Sequence, residues 1–207
     1  MKKLAIIGAS GHGKVVADLA EQLGYTVFFF DDAWPQLNKN SRWSVVGNTA
    51  AFLREPQGYA GAIIAIGNNT TRKKIALMLA EKNVQMPTLV HPNATVSGYA
   101  HIGAGTVVFA RTVVNADVRV GQGVILNTGC TVDHDCQIGD YAHVSPGANL
   151  AGEVTIGELA WVGIGACVRQ QASIGAGAIV GAGAVVVKNV PAGAVVVGSP
   201  AKPLVKK

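Results

Sequence analysis

The sequence predicts a small Rossmann-like parallel sheet in an N-terminal α/β domain, followed by an all-β parallel β-helix. Strand-like and helix-like stretches alternate through the first ninety residues. From Val96 to Val186 an aliphatic residue recurs at every sixth position, sixteen times without a break. Two residues before each lies a small side chain or a valine, from Ala94 through Cys130 and Cys136 to Ala184. The chain divides accordingly into residues 1–90, residues 91–190 and a C-terminal tail, 191–207.

In the first part, Leu4 to Ala9 reads as a buried strand and Lys14 to Leu23 as an amphipathic helix. Thr26 to Phe30 forms a second strand running into Asp31-Asp32, and Ala62 to Ile66 a third, followed by Gly67-Asn68-Asn69 and a helix over Thr71 to Lys82. Such alternation gives a parallel sheet, and ligands of such sheets bind beyond the carboxyl ends of the strands. There Gly8-Ala9-Ser10-Gly11-His12-Gly13, Asp31-Asp32 and Gly67 would gather. Gly8 to Lys14 has the spacing of a phosphate loop, yet Val15 stands where a magnesium-binding hydroxyl is required, which argues against an ATPase. The glycines also miss the dinucleotide pattern. A glycine turn entering a helix still presents backbone N–H groups to a phosphate, and a nucleotide diphosphate fits.

The second part repeats with a period of six, which is not helical. A short strand and a tight corner satisfy it, with the aliphatic residue pointing into a narrow prism and the small residue relieving crowding beside it. Three hexads close one 18-residue coil, so slightly more than five coils fit between about 91 and 189. The cysteines Cys130 and Cys136 occupy the small interior position and read as packing.

Composition narrows the function classes. Aromatics are 6% of residues, too few for a single-stranded nucleic-acid platform, and the net charge of +5 comes largely from lysines at the two ends, with no basic stripe. Nucleic acid is therefore not expected as a partner. Four apolar residues before Gly8 are too short for a signal sequence, and no run has membrane-spanning length. Three cysteines without a CxxC pair suit a reducing, cytoplasmic compartment.

The motifs Gly-Ala-Ser-Gly-His-Gly, Asp31-Asp32, Ile-Ala-Ile-Gly-Asn-Asn at 64–69, His134-Asp135-Cys136, His143-Val144-Ser145 and Gly198-Ser-Pro-Ala-Lys202 together resemble the PglD/NeuD-like sugar acyltransferases. The resemblance covers essentially the whole chain. It implies that the β-helix is left-handed, and it implies an acetyl-CoA-dependent N-acetyltransferase acting on the 4-amino group of a UDP-linked amino-dideoxy-sugar, giving a UDP-N,N′-diacetylbacillosamine-type product. In that family the histidine at His134 is the general base, assisted by an acidic neighbour, here Asp135. Substrate contacts fall on Ser10, Gly11, His12, Asp31, Asp32 and Gly67; acetyl-CoA contacts fall on His143, Ile164 and Ala182; no metal is implied.

The coil length adds an independent inference. Residues 18 apart stack about 4.8 Å apart, so Gly152 lies over His134 and its N–H is a candidate oxyanion donor. His143 is nine residues, half a coil, from His134 and faces the opposite way. A site joining the two must lie between subunits, as in a cyclic homotrimer. An O-acetyltransferase acting on a sialic-acid hydroxyl, and a non-catalytic β-helix scaffold or a zinc-binding relative of the carbonic anhydrase helices, are the competing readings.

Overall fold

The computed structural model describes residues 2–204; the lysines at 206 and 207 lie outside them. The chain packs as two compact units, divided between His91 and Pro92.

In the first unit Lys2–Ile7 (β1), Tyr25–Phe30 (β2), Lys39–Asn40 (β3), Trp43–Gly47 (β4) and Gly61–Ile64 (β5) form one sheet in the order β3-β4-β2-β1-β5. All pairings are parallel except β3 with β4. Every residue of β5 is buried, as is the run from Leu4 to Ile7, which is why these strands read as continuous apolar runs. Gly11–Gln22 (α1), Thr49–Arg54 (α2) and Asn69–Glu81 (α3) are the helices. The order β4-β2-β1-β5 is that of a Rossmann half, with its switch point between β1 and β5.

The sequence reading placed the start of α1 at Lys14; the helix begins at Gly11, so Gly11, His12 and Gly13 are its first turn and not a preceding loop. Two glycines there hid the helical signal. Gly13 is small because α1 lies hard on the sheet: a β-carbon would come within 2.5 Å of the Gly8 carbonyl and 2.9 Å of the Phe29 ring. The reading also missed β3, β4 and α2. The β4 residues do alternate buried and exposed from Trp43 to Gly47, a strand signal too short to stand out.

The second unit is a left-handed parallel β-helix. Sixteen two-residue strands run from Thr95–Val96 to Val185–Val186, and each ends on one of the sixteen hexad aliphatics. They stack on three faces at an offset of 18, as in Thr131 against Asn149, Gln137 against Thr155 and His143 against Trp161. The first face holds strands such as Thr131–Val132 and Asn149–Leu150, the second Gln137–Ile138 and Thr155–Ile156, the third His143–Val144 and Trp161–Val162. From Val108 onward the interior aliphatics are at most 3% exposed, each such side chain contributing about 1.5–3 kcal/mol. Cys130 and Cys136 are fully buried among them, and burial pushes their thiols up to about 12 and about 11. Thr106 and Thr112, polar at the same interior column, donate to the carbonyls of Gly121 and Asn127.

Each corner is made the same way. Every sixth residue from Gly105 to Gly183 is left-handed, with φ between 56° and 68°. Half of these fourteen positions are not glycine, and Asp135 and Glu153 are among them. Two further strands follow the sixteen: Val195–Val197 pairs parallel to Ile179–Val180, at an offset of 16 in place of 18, and Lys202–Pro203 turns back on it. These two strands therefore continue the third face.

Candidate functional site

At the carboxyl edge of the first sheet, the loops after β1, β2 and β5 come from neighbouring strands. Asp31 spends both oxygens on this edge: Oδ2 accepts from Ala9 N–H at 2.7 Å and Oδ1 from Ala33 N–H at 2.9 Å. Asp32 accepts from Thr49 N–H through one oxygen, at 3.0 Å, and is otherwise exposed. Of the two predicted contacts, Asp31 organises the loop while Asp32 bonds through one oxygen and stays exposed at the edge. Gly11 and Gly67 have open space where a side chain would stand, and Ser10 is exposed, its hydroxyl not used to cap α1. His12 is half-buried, with Nε2 shielded from solvent; that desolvation, with the charge of Arg72 second, lowers its pKa to about 4 and keeps it neutral at physiological pH.

Arg72 was not singled out from the sequence. It is 1% exposed, donates to the carbonyls of Ile66 and Gly67 at 3.0 and 3.3 Å, and bonds Asn69 Oδ1 at 2.8 Å. A buried guanidinium thus braces the loop that carries Gly67.

In the β-helix, His134 and Asp135 occupy the corner between the first and second faces. The left-handed turn at Asp135 swings its carboxylate back, and Oδ2 lies 2.8 Å from His134 Nδ1. An imidazole that donates Nδ1–H to a carboxylate presents the Nε2 lone pair. That nitrogen lies over Gly152, where a β-carbon would come within 2.6 Å of both Nε2 and Cε1. Among the described residues the Gly152 N–H has no hydrogen-bond partner. The hydrogen bond from Asp135 raises the pKa of His134, with the charge of Asp133 next. An imidazole, a carboxylate that orients it and a backbone N–H therefore meet at one corner, as the 18-residue spacing requires.

His143 lies on the third face, across the prism from that corner. Its ring stacks on Trp161 with centroids 5.4 Å apart and planes 8° from parallel, and Nε2 accepts from Asn127 Nδ2 at 3.2 Å. Trp161 donates to Ser145 Oγ at 2.7 Å. Ile164 and Ala182 follow the third-face strands and line, with Trp161, Ile179, Ser145 and Gly163, an apolar cavity of about 210 Å³. The chain brings His134, Asp135 and Gly152 together, and separately His143, Trp161, Ile164 and Ala182; it does not bring the two groups together. Asn127, Ser145 and Ile179 are not among the expected contacts, though Ser145 belongs to the His143-Val144-Ser145 motif and Ile179 stacks 18 residues above Trp161. Among the described residues no group of three or more His, Cys, Asp or Glu could hold a metal ion, and no helix is long and apolar enough to cross a membrane.

Parallel coils built on an unbroken six-residue repeat define the hexapeptide-repeat transferases. Residues 3–79 match the PglD N-terminal domain, and residues 117–152 match the bacterial transferase hexapeptide (six repeats). The acetyltransferase domain of PglB from Neisseria gonorrhoeae FA1090, solved in complex with acetyl coenzyme A, is 47% identical, with a TM-score of 0.93 over 98% of this chain and 99% of that one. PerB from Caulobacter crescentus, solved with CoA and GDP-perosamine, is 37% identical, with a TM-score of 0.94 over 99% of this chain and 98% of that one. A curated relative, UDP-N-acetylbacillosamine N-acetyltransferase of Bacillus subtilis (strain 168), is 40% identical over 113 residues. That match spans about half of each protein, 53% of this chain and 52% of the relative. The chain belongs to the PglD-like family of hexapeptide-repeat sugar acetyltransferases.

Proposed function

We propose that this protein transfers the acetyl group of acetyl-CoA to the 4-amino group of a UDP-linked amino-dideoxy-sugar, giving a UDP-N,N′-diacetylbacillosamine-type product in the cytoplasm. The observation that carries the reading is the His134–Asp135 contact of 2.8 Å with Nε2 poised over Gly152. His134 Nε2 takes a proton from the amine as its nitrogen attacks the thioester carbonyl. Asp135 holds the tautomer and stabilises the imidazolium. The Gly152 N–H donates to the oxyanion. The C–S bond then breaks, and His134 returns the proton to the departing thiolate. Open backbone N–H groups at the start of α1 suit the diphosphate, flanked by Ser10, Gly11 and His12, with Asp32 and Gly67 beside them and Asp31 ordering the loop. The apolar slot of Trp161, Ile164, Ile179 and Ala182 beside His143 suits the pantetheine arm.

The site is assembled between subunits of a homotrimer, the corner from one and the third face from the next. This follows from the placement of His134 and His143 on opposite sides of one prism, and it has a direct test. His134→Ala and Trp161→Ala proteins, each inactive alone, regain activity when co-assembled, because mixed trimers contain intact junctions. Absence of recovery in verified mixed trimers would place both groups in one subunit's site.

The substrate is tested by thiol release from acetyl-CoA with UDP-4-amino-4,6-dideoxy-N-acetylglucosamine, GDP-perosamine or free sialic acid, for the wild type and His134→Ala. Turnover of the UDP-sugar that collapses in a folded variant supports the reading. Preference for sialic acid would make the protein an O-acetyltransferase, and silence with all three would overturn the substrate.

A further inference from the structure

We propose that Asp133 is a positioning residue for His134, so that two carboxylates rather than one hold the catalytic imidazole and stabilise its cation. The proposal rests on the acetyl-transfer reading, in which His134 is the base. Asp133 Oδ1 accepts from the His134 backbone N–H at 2.8 Å and from Asn115 Nδ2 at 2.7 Å. Asn115 stands in the equivalent turn one coil earlier, 18 residues before Asp133. The side chain is thus pinned between the coil below and the amide of the base. The backbone of the base is pinned as well: Asp133 N–H donates to Leu150 O, Asp135 N–H to Ala116 O, and His134 O accepts from Glu153 N–H, at 3.0, 3.1 and 2.9 Å. This frame fixes where the imidazole starts from, while Asp135 fixes how it is turned.

The charges around the ring agree. Hydrogen bonds from Asn115 first and His134 second hold the Asp133 carboxyl below the usual range, so it is ionised wherever His134 titrates. Its charge favours the imidazolium, as do Asp135 on the same turn and Glu153 from the coil above. Glu153 itself accepts from Gln171 at 3.3 Å. Asp117 and Arg119 line a groove with Asp135 and Glu153 beside this turn; Asp117 adds to the favourable field and the Arg119 guanidinium opposes it. Asp133 differs from the other carboxylates in accepting, through its side chain, from the backbone N–H of His134.

The test is a side-chain NMR titration of His134, run beside pH profiles of kcat/KM, in the wild type, Asp133→Asn, Asn115→Ala and Glu153→Gln. Asparagine keeps the acceptor and removes the charge. Its expected effect is a fall of about half a unit in the His134 pKa, with the acid limb of kcat/KM moving to lower pH by the same amount. Asn115→Ala leaves every charge in place, so it lowers the high-pH plateau several-fold without moving the limb. A His134 titration unchanged in Asp133→Asn, at unchanged melting temperature, overturns the proposal. Because the titration needs no substrate, it also separates the two readings: a shifted His134 in a protein whose turnover survives His134→Ala would keep the coupling and refute the base. If Asp133→Asn fails to fold, an unaltered plateau in Asn115→Ala overturns the anchoring role.

Discussion

Replacing Gly152 with alanine tests the proposed reacting corner without removing any charge or hydrogen-bonding group. The new β-carbon would stand 2.6 Å from His134 Nε2 and Cε1, where non-bonded carbon contacts are normally about 3.5–4.0 Å. The ring must retreat by about 1 Å, and it has somewhere to go, since its side chain is 55% exposed. It leaves either by tilting, which stretches the 2.8 Å contact with Asp135, or by rotating into solvent. Gly152 is not among the left-handed residues, so alanine fits the backbone and stabilises by about 0.4–1 kcal/mol through the unfolded chain. That gain and the displaced histidine nearly cancel in stability. The rate has no such compensation: a misplacement of about 1 Å costs about a hundredfold, or about 2.7 kcal/mol of transition-state stabilisation. Thiol-release kinetics beside a melting curve check this. A variant within threefold of wild-type kcat/KM, or one whose activity and melting temperature fall together, refutes the reasoning.

Three further outcomes are expected. His12 has a folded-state pKa of about 4 against 6.5 unperturbed, so the unfolded chain binds the extra proton between those values and stability falls as pH drops from about 6.5 to 4, by about 1–3 kcal/mol; thermal melts across that range should show the slope, and His12→Gln should flatten it. Arg72→Met leaves the carbonyls of Ile66 and Gly67 without their cation and should destabilise the first unit by about 2–3 kcal/mol in urea unfolding. Ala160, fully buried in the prism, should accept leucine only at about 1–3 kcal/mol of overpacking, read as a lower melting temperature.

The β-helix was legible because its rule is local and repeated: an aliphatic at every sixth place, a small neighbour two before it, and a tight corner after it. Stacking by 18 residues alone then places Gly152 over His134. The first unit was less readable, because β3, β4 and α2 are only two to six residues long and their apolar patterns end before a period is established. The first turn of α1 was hidden by Gly11 and Gly13, whose low helix propensity is overridden by close packing on the sheet. Arg72 and Asp133 were not found because their roles depend on carbonyls and amides that meet them only after folding; a lone arginine in α3 and an aspartate before a histidine carry no pattern. The left-handed φ at Asp135 was equally invisible, yet it brings the short carboxylate within reach of Nδ1.

The constant hexad also converts chain length into direction. Three steps make a full revolution, so an insertion or deletion of six residues leaves every interior valine inside but carries everything downstream round by one third of a turn. A deletion between His134 and Gly152 would thus preserve the core and the melting behaviour while sending Gly152 to a different edge of the prism. Length changes of 18 are the ones that keep azimuth, and they move the downstream chain by a single strand spacing along the axis. A library of hexad deletions between His134 and Gly152 would therefore report catalytic geometry as an angle.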